Sequence, residues 1–83
     1  LIDLLQWHQP EDQSPPYDNL YRPGLARLAL RTSDLQADYD YLVRQGVEVL
    51  SPPATVYASA NRGSRFFCFK DPDGTFLELV EQF

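Results

Sequence analysis

The sequence predicts an α+β fold in which one strand precedes a single helix and three strands follow it. Three observations carry this. Apolar residues follow helical spacing over residues 35–45, between helix-start residues and Gly46. Residues 25–31 and 75–82 alternate at period two. An aromatic run at 65–70 is joined to the last of these segments by Asp71-Pro72-Asp73-Gly74.

Residues 1–7 (LIDLLQW) are mostly apolar and read as a strand. The chain opens on that run at Leu1, so it reads as the continuation of something longer. Residues 8–23 contain Pro10, Pro15, Pro16 and Pro23, which exclude an ordinary helix or central strand, and form a linker. Residues 25–31 (LARLALR) place Ala26, Leu28 and Leu30 on one face and Leu25, Arg27, Ala29 and Arg31 on the other. Thr32, Ser33 and Asp34 can accept from the free N–H groups of a first helical turn. Leu35, Tyr39 and Leu42 then share a helical face, and Gly46 suits a left-handed stop. Residues 47–50 are a short strand ended by Ser51-Pro52-Pro53, and residues 55–57 read as extended. In the closing hairpin, Pro72 presets its own φ and Gly74 can supply a positive one. Phe76, Glu78 and Val80 share one face of the last strand, and Leu77, Leu79 and Glu81 share the other.

With 83 residues the chain has room for one small domain. A net charge of −5 argues against a nucleic-acid partner. No apolar run approaches the ~20 residues of a membrane span. The single cysteine, Cys68, excludes an internal disulfide framework and points to a reducing, cytoplasmic setting, with Cys68 as a small apolar strand residue.

The segment RFFCFKDPDGTFLELVE resembles the closing hairpin of a vicinal oxygen chelate module, the superfamily of glyoxalases, bleomycin resistance proteins and extradiol dioxygenases. Upstream, GLARLALRTSDLQADYDYLVRQGVEVLSPP is similar to the family's opening strand, Gly-stopped helix and second strand. The resemblance implies a βαβββ module with a curved mixed sheet over residues 24–83, a linker over 8–23, and the closing strand of a truncated first module over 1–7. It also implies a cavity shared by two modules, a small-molecule ligand and a homodimer, because an unpaired sheet has open edges.

Metal-using relatives place a ligand on the closing strand, an acid on the preceding module's closing strand, and often a histidine on the opening strand. By position these are Glu78, Asp3 and Arg27. Glu78 is thus the candidate catalytic residue, and Glu78 and Asp3 are the candidate ligands for a divalent Zn, Ni, Mn or Fe ion. Arg27 departs from the pattern, because a guanidinium has donors only and offers no lone pair to a cation. The expectation is therefore a cavity without a firmly held metal, with Arg27 paired to Glu78. Trp7, Tyr57, Phe67 and Phe69 are candidates for the pocket lining, with core packing as the competing reading of these aromatics. His8 is a loop histidine, either solvated or an acid/base at the cavity rim. Three functions stay open: a metal-poor small-molecule binder, a metal-dependent lyase, isomerase or dioxygenase, and a non-catalytic half-module for dimerisation.

Overall fold

The computed structural model describes residues 1–83. Its elements are β1 (Arg27–Arg31), α1 (Leu35–Arg44), β2 (Ala54–Ser59), β3 (Arg62–Lys70) and β4 (Phe76–Gln82). They form one helix on an open four-stranded sheet of order β1-β4-β3-β2. β1 runs parallel to β4, and the other neighbours are antiparallel, so the sheet is mixed.

Local chemistry explains the helix ends. The Asp34 carboxylate caps α1 by accepting from Ala37 N–H at 3.1 Å. A second carboxylate arrives from the far end of the chain, where Glu81 accepts from Leu35 N–H at 2.8 Å. At the other end Gly46 adopts φ +79°. Gly46 and Val47 donate back to the Val43 and Leu42 carbonyls, a Schellman stop.

The β3–β4 turn is organised by Asp71. Its Oδ1 accepts from Asp73 N–H and Thr75 N–H, each at 2.9 Å, while Gly74 turns at φ +94°. Register then pairs Phe67 with Leu79 and Cys68 with Glu78. α1 covers the face carrying Phe67 and Leu79. Tyr39 meets Phe67 edge-on at 5.2 Å, and Leu35 is fully buried.

One expectation needs correction. Residues 47–50 do not form a strand of their own. Val49 makes one bridge to Phe69, flanked by bonds between Glu48 and Lys70 and between Leu50 and Cys68. Pro52 and Pro53 then interrupt pairing, because they lack N–H donors, and the chain rejoins the same edge of β3 as β2. Residues 1–7 have no hydrogen-bonded backbone neighbour among residues 1–83. Leu1, Ile2, Leu4, Leu5 and Trp7 are all exposed. This arm raises the radius of gyration to 14.8 Å, against about 12 Å for a compact domain of this length.

The later part of the linker does pack. Gly24, at φ +103°, turns the chain so that Tyr17 lies beside it. Pro15, Pro16 and Tyr17 border a hollow of about 330 Å³ against Phe76. No helix is long and apolar enough to cross a membrane.

Candidate functional site

Register divides the sheet into two faces. Phe67, Phe69, Leu77, Leu79 and Glu81 share the helix side. On the other side stand Arg27, Ala29 and Arg31 from β1, Cys68 and Lys70 from β3, and Phe76, Glu78 and Val80 from β4. No helix covers this second side.

Glu78 is its centre. The side chain sits on an inner strand, directly opposite Ala29 on one neighbour and Cys68 on the other. It is 8% exposed and is the one charged residue among the buried set. Its Oε2 receives two groups: Arg27 Nε at 3.4 Å and the Cys68 thiol, which donates at 3.6 Å. Oε1 has no protein partner and is not sealed off. The Arg27 side chain is 49% exposed, so the pair contributes only about 0–1 kcal/mol to stability. Its value lies in fixing a guanidinium beside a carboxylate.

Burial pushes the Cys68 thiol above its ordinary pKa. The charge and hydrogen bond of Glu78 add to this, and Arg27 opposes it. The group is therefore a neutral thiol at pH 7. Iodoacetamide, which reacts with the thiolate, is expected to alkylate Cys68 at least about tenfold more slowly in the folded protein than in urea. Equal rates would contradict this environment.

The remaining candidates lie elsewhere. Phe67 and Phe69 lie 5.8 Å apart with their rings tilted by 39°, on the face opposite Glu78, where Phe67 is buried against Tyr39 and Phe69 is half-buried. Asp3 lies in the exposed arm without a hydrogen bond or ion pair. Trp7 is exposed and borders a separate hollow with Leu5, Pro10 and Asp73. Tyr57 is exposed and meets Phe83 edge-on at 5.7 Å. His8 is exposed in the linker. Of the proposed set, then, the structure brings together Arg27 and Glu78, and it adds Cys68. A sequence signal for Cys68 existed. A hairpin turning about Asp73 pairs residues whose numbers sum to 146, which sets 68 against 78.

The donor set is too small for a divalent cation. Glu78 and Cys68 offer two donors, and no group of three His, Cys, Asp or Glu side chains is assembled. The third position nearest Glu78 is a guanidinium, which repels a cation and lends it no electrons. The residues of this chain do not by themselves fit a resident metal.

Residues 3–79 match the family model of the Glyoxalase/Bleomycin resistance protein/Dioxygenase superfamily. The chain belongs to this superfamily. Solved glyoxalase-superfamily structures resemble it. A glyoxalase family protein from Enterococcus faecalis is 32% identical over 86% of this chain and 54% of its own, with a TM-score of 0.63. A superfamily member from Sphaerobacter thermophilus is 35% identical over 65% of this chain and 40% of its own, with a TM-score of 0.57. An integron cassette protein from Vibrio cholerae is 26% identical over 92% of this chain and 55% of its own, with a TM-score of 0.55. The chain thus spans 40–55% of the length of these structures. No curated protein matches it.

Proposed function

We propose that residues 24–83 are one βαβββ half of a small-molecule-binding cavity, completed by a second module, and that the cavity holds no firmly bound metal. The observation that carries this reading is the Arg27 guanidinium at 3.4 Å from Glu78, where metal-using relatives place a nitrogen ligand. A fixed positive charge there does the electrostatic work of an ion without requiring a coordination shell. Glu78, with one free oxygen, is the group that meets the ligand and the candidate acid/base.

The thin core supports a missing partner surface. Only Leu35, Phe67, Cys68, Phe76 and Glu78 are buried. Residues 1–7 are read as the closing strand of a preceding module, whose apolar side chains await a neighbour, and residues 8–23 as the linker between modules. Both sheet edges, β1 and β2, are open. A homodimer that pairs modules within or between chains is expected, at twice the chain mass by light scattering. A monodisperse monomer would contradict it. The proposed compartment is the cytoplasm, where a lone buried thiol stays reduced.

A metal-dependent lyase, isomerase or dioxygenase on the same fold would need further ligands from outside this chain, with Glu78 and Asp3 as its own contribution. The Arg27→His variant separates the two. It replaces the cation by an imidazole donor beside Glu78 and Cys68. Calorimetry with Zn²⁺ or Ni²⁺ is expected to show at least about tenfold tighter binding by the variant than by the wild type. No gain in affinity would overturn the reading of Arg27 as the substitute for an ion.

A further inference from the structure

The uncovered face of β1 carries a second cation that the metal position does not explain. Arg31 stands four residues beyond Arg27 on the same side of the strand, opposite Val80, and is exposed. No carboxylate pairs with it. Four residues along a strand span about 13 Å. Between the two arginines lies only the methyl group of Ala29, directly opposite Glu78. Their long stems can therefore lean together over a small residue, above a carboxylate with one free oxygen. Nearby, Lys70 is already neutralised by Glu48 at 3.0 Å.

We infer that this slot binds a small organic monocarboxylate bearing an O–H or N–H donor on the carbon next to the acid. The inference rests on the ligand-cavity reading above and names the class of ligand. Charge decides the class. Arg27, Arg31 and Glu78 sum to one positive charge, which a single carboxylate balances and a phosphate dianion exceeds. Geometry decides the rest. Arg27 faces Glu78 with Nε, at 3.4 Å, and its terminal N–H groups have no partner, so they are free for a carboxylate, which a guanidinium fork fits in bidentate fashion. The unpartnered Glu78 Oε1 lies beside them and accepts only, so it calls for a donor on the ligand. Glu78 also rejects a ligand that brings a second negative charge to that point.

The test is a titration of the ¹⁵N-labelled protein with glycolate, acetate and inorganic phosphate, followed by amide shifts. Glycolate is expected to give saturable shifts on β1 and β4, centred on Ala29 and Glu78, with affinity several-fold above acetate and above phosphate. Arg31→Gln, at an exposed position, is expected to keep the fold and weaken glycolate about tenfold, with Arg31→Lys in between. Overturning results are no saturable shift, acetate or phosphate equal to or better than glycolate, or Arg31→Gln binding like the wild type. If Arg27→His gains metal affinity while glycolate fails to bind, the ligand class is wrong and the reading of Arg27 as the substitute for an ion stands. If Arg27→His gains nothing while glycolate binds as described, the ligand class stands and Arg27 is not the substitute for an ion.

Discussion

Phe67→Ala is expected to remove about 3–5 kcal/mol of stability. The ring is 1% exposed, is one of the two largest fully buried side chains, and touches both Tyr39 on α1 and Phe69 on its own strand. Its loss opens a cavity under the helix that neighbouring side chains are too few to refill. Domains of this size hold roughly 0.05–0.15 kcal/mol per residue, so the variant loses about a quarter or more of the total. Thermal unfolding should fall by at least about 12 °C, or lose its cooperative transition altogether. Phe67→Leu, which keeps most of the volume, should cost much less. A Phe67→Ala protein within about 1 kcal/mol of the wild type in urea would mean that the helix is not held by this contact.

Gly63→Ala is expected to cost about 2–3 kcal/mol through overpacking rather than through a cavity. A Cβ there would collide with the Val56 carbonyl and lie 2.9 Å from the Phe83 ring. The ring can swing away, but the carbonyl belongs to the β2–β3 ladder, so the edge strand itself must move. Gly46→Ala is the useful comparison. That glycine has a positive φ and open space around it, so only about 1 kcal/mol of backbone strain is at stake. Urea denaturation should rank Gly63→Ala as the more damaging, with faster amide exchange at Val56 and Tyr57. The opposite ranking would show that the edge strand yields freely.

Much of the fold was legible because its signals are local. Asp34, Gly46 and the 71–74 turn act within a few residues of themselves, and the helix and hairpin lie where those residues put them. The second strand was less legible. Residues 47–50 and 54–59 compete for one edge of β3, and the division between them depends on where Pro52 and Pro53 break the ladder. The face of the sheet was not legible at all from alternation. Phe67 and Cys68 are adjacent in sequence, and nothing in RFFCFK tells which of them meets the helix. Tyr39 decides it, and with it the assignment of Phe67 and Phe69 to the helix side and of Cys68 to the Glu78 site. Arg27 was readable as an anomaly because its chemistry conflicts with its position. Asp3 and Trp7 lie on an exposed arm without a strand partner, so no local pattern could place them against Glu78.

The last strand of this module is an inner strand. β4 separates β1 from β3, and its Glu81 also closes the first turn of the helix, 46 residues earlier. During synthesis, α1 and the β2–β3 ribbon can therefore emerge from the ribosome with nothing to bind them into a single body. Arg27 and Cys68 stay apart until Glu78 is threaded between them. Such long-range closure slows folding, and until it happens the apolar strands are open to wrong pairings. A ribosome stalled before residue 82 has left the exit tunnel should hold this module in a protease-sensitive form, and release of the last strand should convert it in one step.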